Sequence, residues 1–184
     1  MRMMDLEKNI IDNILECQVK LGMADLPVSF YYPQASLIEL LVCNNETLNL
    51  ELEKFKKKEC NSLGRLEIEE LKNERGRYVI TVPAEGVRWV NANFAPSEFM
   101  QAFIAEIKCP GITLGDLINI FKKFSDKVNV NQVGDNEWAL SFENLEVDPY
   151  VYHIEKNCFG LEYHRFTHKA YELLNEGAEK DGIH

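Results

Sequence analysis

The hydrophobic period of this chain changes at Leu66, and that change decides what kind of sheet the chain can build. Before it, Leu6, Ile10, Ile14, Cys17 and Leu21 fall on one helical face, widened by Ile11 and Leu15, with Gly22 placed to end the helix as a left-handed cap. After it, Leu66 and Ile68 alternate with Glu67 and Glu69. Tyr78-Val79-Ile80-Thr81-Val82 then returns after Asn73-Glu74-Arg75-Gly76, a turn that closes a hairpin without a crossover helix. The device recurs twice. Val128, Val130 and Val133 turn at Gly134-Asp135 and return through Trp138, Leu140 and Phe142, and a further hairpin runs from Tyr150 to Phe166 around Asn157-Cys158-Phe159-Gly160. Strands that return by tight turns pair antiparallel, because parallel strands need a crossover of a dozen or more residues. The expected fold is α+β, with antiparallel hairpins packed against several helices.

Helix signals fill the remainder. Val28 to Tyr32 is a short strand or extended arm stopped by Pro33, and Ser36 with Glu39 forms a capping box ahead of Leu37, Ile38, Leu40 and Leu41. Thr47 to Glu59 reads as a helix, although Leu48, Leu50 and Leu52 also alternate as a strand would. Pro83 opens a helix through Val87, Val90 and Phe94. Ser97 caps a helix carrying Phe99, Phe103, Ile104 and Ile107, and Thr113 with Asp116 opens another with Leu117, Ile120, Phe121 and Phe124 inward. Thr167 caps a last helix with Tyr171 and Leu174 inward, followed by a polar, frayed tail from Gly177. With no Pro-, Ser- or Gly-rich linker, residues 1–184 are expected to form a single compact domain, large enough for a core without disulfides. An internal repeat is also on offer, pairing 47–94 with 113–175. Thr47-Leu48 and Phe55-Lys56-Lys57 echo Thr113-Leu114 and Phe121-Lys122-Lys123, and Asn73-x-x-Gly76 echoes Asn157-x-x-Gly160. It implies two similar halves.

Charge narrows the partners. Thirty acidic residues against 20 Lys and Arg give a formal charge of −10, which repels nucleic acid and anionic lipid at long range. The apolar runs are a few residues long, against about 20 for a membrane span. Acidic residues stand near the N-terminus where a signal peptide would be apolar. Cys17, Cys43, Cys60, Cys109 and Cys158 are odd in number, widely spaced and free of C-x-x-C, which argues against a disulfide framework or a zinc ribbon. The expected compartment is the reducing cytoplasm.

No phosphate-binding glycine loop, nucleophile elbow or H-E-x-x-H motif is present, and no cofactor is implied. Three of the four histidines, His153, His164 and His168, lie within sixteen residues. A symmetric two- or four-residue turn pairs His153 with His164 on one sheet face, where imidazoles can share a metal with Glu155 or Glu162 as carboxylate partners. The Asn157-Cys158-Phe159-Gly160 turn, however, favours a three-residue bulged loop, which puts His164 opposite Ile154 instead and leaves ordinary strand-edge histidines. Lys122, Lys123 and Lys127, beside a helix–turn–helix–hairpin order, are what a winged helix would offer to nucleic acid. They equally complement a helix C-terminus. Cys158 is a candidate thiol near His153, and Trp89, Trp138, Tyr150, Tyr152 and Tyr163 are expected mainly in the core.

Leu6-Glu7-Lys8-Asn9-Ile10-Ile11-Asp12, Tyr31-Tyr32-Pro33, Pro83-Ala84-Glu85-Gly86-Val87, Gly111-Ile112-Thr113 through Phe121-Lys122-Lys123, and Tyr163-His164-Arg165-Phe166-Thr167 span nearly the whole chain. Together they resemble a family of small uncharacterised bacterial proteins classed as a domain of unknown function. The resemblance implies a stand-alone bacterial cytoplasmic protein, and no activity or functional residue. The expected function is a non-catalytic, acidic intracellular binding or regulatory module contacting a protein or small ligand, with a homodimer allowed. The alternatives are a metal-assisted or acid–base enzyme built on the three histidines, and a winged-helix-like nucleic-acid binder.

Overall fold

Asp5 starts the first helix by accepting a hydrogen bond from the Lys8 amide at 2.8 Å. The apolar stripe that follows is buried at Leu6, Ile10, Ile11, Ile14 and Leu15, whereas Cys17 is half-buried and Leu21, expected on the same face, is exposed. The computed structural model describes residues 4–22, 25–57 and 62–180. Among these are seven helices and two antiparallel sheets, of three and four strands, so the fold is α+β. Chain contacts group the residues into two compact units that part between Pro96 and Ser97.

The first unit holds α1 (Leu6–Leu21), β1 (Val28–Pro33), α2 (Gln34–Leu41), α3 (Leu48–Lys56), β2 (Glu67–Glu70), β3 (Arg77–Val82) and α4 (Ala84–Asn93). Its sheet has the order β1-β3-β2, with Gly76 at φ +74° closing the β2–β3 hairpin. Leu6, Ile10, Ile14, Ile80, Val82 and Val90 are in its core. The buried Tyr32 hydroxyl donates to Asn9 Oδ1 at 2.7 Å, and Asn13 Nδ2 donates to the same oxygen. One local expectation fails. Helix α2 begins at Gln34, not after Ser36, because Pro33 sits at φ −64° and leads directly into the helix. Ser36 is thereby carried inside the helix, where it is buried and caps nothing.

The second unit holds α5 (Glu98–Ile107), α6 (Leu114–Phe124), β4 (Val128–Gly134), β5 (Glu137–Phe142), β6 (Tyr150–Asn157), β7 (Gly160–Thr167) and α7 (His168–Lys180). Ser97 caps α5, and Thr113 with Asp116 forms the full capping box on α6. The sheet is a four-strand meander, β4-β5-β6-β7. Because side chains alternate across a strand, Leu140, Phe142, Tyr152 and Ile154 share one face and are buried there. Phe99, Phe103 and Phe121 meet that face edge-on or stacked, with ring centres 4.8 Å apart for Phe99–Phe142 and for Phe103–Tyr152. Such pairs add roughly 0.5–1.5 kcal/mol each beyond burial. The buried Asp148 accepts from the Tyr152 hydroxyl at 2.8 Å and from the Tyr150 amide at 2.9 Å, which satisfies polar groups at the edge of the core.

The opposite face carries Glu137, Ala139, Val151, His153 and Glu155, and α7 covers part of it. Tyr171 fills the patch formed by Ala139, Val151 and Phe166. Leu174, expected inward, is 55% exposed, because that patch is already filled by Tyr171 one turn earlier. The helix also continues to Lys180 where a frayed tail from Gly177 was expected. Both units contain a helix, a hairpin and a helix in the same order: α3-β2-β3-α4, and α6 then β6-β7-α7 with β4–β5 inserted.

Candidate metal centre

The turn between β6 and β7 sets the geometry. Asn157 pairs with Gly160 across it, Asn157 Oδ1 accepts from the Phe159 amide at 2.9 Å, and Gly160 takes φ +123°. Only Cys158 and Phe159 lie in the loop, so the three-residue bulged turn that the sequence favours does not form, because Asn157 and Gly160 still pair as the last residues of the ladder. His153 therefore stands directly opposite His164, and Glu155 opposite Glu162. On the other side of β6, Glu137 pairs with Glu155 and Ala139 with His153.

The outcome is two adjacent rows on one face, Glu137-Glu155-Glu162 and Ala139-His153-His164. Like charges directly opposite on neighbouring strands are destabilising. Among the described residues no Lys or Arg forms an ion pair with any of the three glutamates; the charge partner of Glu137 and Glu155 is His153, with Nε2 at 3.6 Å and 3.2 Å. A row of three carboxylates with no Lys or Arg partner among the described residues is an arrangement that a cation would relieve.

The ligating atoms of Glu137, His153 and Glu155 all lie within 4.8 Å of one another, and so do those of Glu155, Glu162 and His164. Around one ion with bonds of about 2.1 Å, such atoms stand roughly 3–3.5 Å apart. Side-chain rotations closing at most about 1.3–1.8 Å would therefore complete either trio. Imidazole with carboxylate suits zinc and its first-row neighbours, and three protein ligands leave a position open.

His153 is the best-held ligand. Its side chain is only 15% exposed, and its Nδ1 lies 2.9 Å from the Tyr171 hydroxyl. A metal on Nε2 requires the proton on Nδ1, and Tyr171 is placed to accept it, the orienting arrangement usual for ligating histidines. Burial, then the nearby Glu137 charge, pushes the Tyr171 phenol above its ordinary range, so the hydroxyl stays protonated, while a hydrogen bond with Asn175 acts the other way. Glu162 and His164 are exposed and have no such hydrogen-bonded support among the described residues.

His168 lies outside both trios. It opens α7 half-buried, and its Nε2 is buried with no hydrogen-bond partner among the described residues. Burial lowers its pKa below the ordinary histidine value, opposed by Glu172. Lys122, Lys123 and Lys127 are exposed at the C-terminal end of α6 and just beyond, while Leu117, Ile120 and Phe121 of that helix are buried. Cys158 is exposed at the hairpin tip, about 16 Å along the strand from His153, too far to use it as a base. Tyr150 and Tyr152 are core, whereas Trp89, Trp138 and Tyr163 are half-buried.

Glu137 is the site residue that sequence reasoning misses. Reading the return strand from Trp138 leaves it in the turn, although counting back by two from Ala139 puts it on the histidine face.

A cleft of about 280 Å³ lies in the first unit among Ile14, Cys17, Leu21, Leu26 and Val87. Its lining has no charged side chain.

These features define a small α+β protein with ligating groups gathered, among the described residues, on one face of its four-stranded sheet. The chain belongs to the family described as a domain of unknown function from an E. rectale gene description (DUF3877), which matches residues 3–175. No curated protein and no solved structure matches it.

Proposed function

We propose that this protein is a non-catalytic binding module whose ligand is a divalent transition-metal ion, held on the outer face of the four-stranded sheet. The supporting observation is the Glu137-Glu155-Glu162 row beside the His153-His164 pair, with ligating atoms already within 4.8 Å in each trio. All these groups come from one chain, so a homodimer is not needed to complete the site. Cys43, Cys109 and Cys158 are free thiols, which fits a reducing compartment such as the cytoplasm. Among the described residues no helix is long and apolar enough to cross a membrane.

Native mass spectrometry and calorimetric titration of untagged protein with Zn²⁺ and Co²⁺ test the reading. Stoichiometric binding, lost or strongly weakened in Glu155→Gln, is expected. Binding that is absent, or indifferent to Glu155→Gln, overturns it. A metal-assisted enzyme is the second reading, favoured by the exposure of Glu162 and His164, which leaves space for substrate beside an ion.

A further inference from the structure

Resting on that metal-binding reading, we infer that the face holds two divalent ions, bridged by the Glu155 carboxylate. Glu155 belongs to both trios. It is also the middle residue of the glutamate row, paired with Glu137 on one side and Glu162 on the other. A carboxylate offers about four lone-pair sites on two oxygens, so it can serve two ions at once. Paired ions in proteins stand about 3.5–4 Å apart, a spacing that one bridging carboxylate spans.

The two halves are chemically alike. One ion takes Glu137, His153 and one oxygen of Glu155; the other takes Glu162, His164 and the second oxygen. Charge supports occupancy of both. A single divalent ion among the first three residues leaves Glu162 facing Glu155 across the ladder with no cation of its own. A second ion removes that repulsion. The pair then carries one net positive charge over the three carboxylates, which a bridging hydroxide or another anionic oxygen ligand neutralises.

The halves differ in support. His153 is largely buried and oriented by Tyr171, whereas His164 and Glu162 are exposed. Binding is therefore stepwise, tighter at the His153 ion and weaker at the His164 ion.

Loading untagged full-length protein with Mn²⁺ and with Zn²⁺ tests this. Native mass spectrometry of the Zn²⁺ form should show two ions per chain, and Glu162→Gln or His164→Gln should leave one. Electron paramagnetic resonance of the Mn²⁺ form should show exchange-coupled ions, with the coupling lost in those variants. Circular dichroism melts confirm that each variant is folded, which the outward position of these side chains favours. One ion at saturation, unchanged in Glu162→Gln, overturns the bridged pair while leaving the single-site reading intact. Two ions without exchange coupling overturn the bridge. No bound ion overturns both readings.

Discussion

His153 and His164 face each other directly across the β6–β7 ladder, with the Glu155–Glu162 pair next along the same face. Both pairings depend on a loop of two residues. Inserting one glycine between Cys158 and Phe159 would allow the strands to slip by one position, and a slip of one turns every β7 side chain to the other face. The insertion is expected to abolish metal binding at the His164 half while Tyr150 and Tyr152 keep the core folded. Titration with Zn²⁺ checks it, and unaltered two-ion binding would show that the register is held by the sheet rather than by the turn.

Tyr171 reaches the proposed centre through His153 Nδ1, at 2.9 Å. Tyr171→Phe keeps the ring that fills the Ala139, Val151 and Phe166 patch and removes the oxygen that would orient the imidazole. Loss of an outer-shell partner of this kind typically weakens metal binding by about 10–100-fold. Calorimetry should show that loss with an almost unchanged melting temperature. Equal affinity in the variant would mean that His153 needs no orienting partner.

The pKa of His168 is lowered by burial, and this carries a sign. In the unfolded chain it takes a proton near pH 6.5; in the native protein it resists until lower pH. Between those values the unfolded state binds more protons, so stability rises with pH. Acidifying the metal-free protein below about pH 6.5 should lower its stability, and His168→Gln should flatten that part of the curve. Urea midpoints measured at half-unit steps from pH 7.5 to 5 give the comparison. Parallel curves for the two proteins would place the acid sensitivity elsewhere.

Gly86 marks a close backbone approach in the first unit. A Cβ built there would overlap the Leu63 carbonyl and press on Val82, and backbone cannot swing aside as a flexible side chain can. Gly86→Ala is expected to cost about 2 kcal/mol, in the range of overpacked cores, although alanine is the better helix former. Chemical denaturation measures it; a neutral or stabilised variant would show that α4 shifts freely away from Leu63.

Much of this architecture is legible in the sequence because its signals are local. Thr113 and Asp116 announce α6, Ser97 announces α5, and Gly76 marks the turn between β2 and β3 through its left-handed φ. What escapes reading depends on longer range. β1 pairs with β3, far along the chain, and nothing local to Val28–Pro33 names that partner. Ser36 carries a capping pattern that Pro33 pre-empts, and Leu174 has the right spacing but finds its patch already filled by Tyr171. The candidate centre lies between these cases. His153, His164, Glu155 and Glu162 are readable as a cluster, yet whether they share a face turns on one residue of loop length. Glu137 joins them only once β5 is registered against β6.

The glutamate row supplies a last test, which needs no metal. In the metal-free protein Glu155 faces Glu137 and Glu162 directly, and each such pairing of like charges opposes the sheet. Glu162→Gln keeps the shape and removes one charge, so the metal-free variant should be more stable than the parent, by about 0.5 kcal/mol. The gain should shrink as salt rises, since screening acts strongly on exposed pairs. With saturating Zn²⁺ the order should reverse, because a bound ion stabilises the folded state according to how far its concentration exceeds its dissociation constant. The variant, lacking a ligand, gains less from the ion. Melting curves of both proteins, with EDTA and with Zn²⁺, separate the outcomes. A crossing of the two orders ties the carboxylate row to a cation, and a variant less stable in both conditions would mean that Glu162 serves the fold alone.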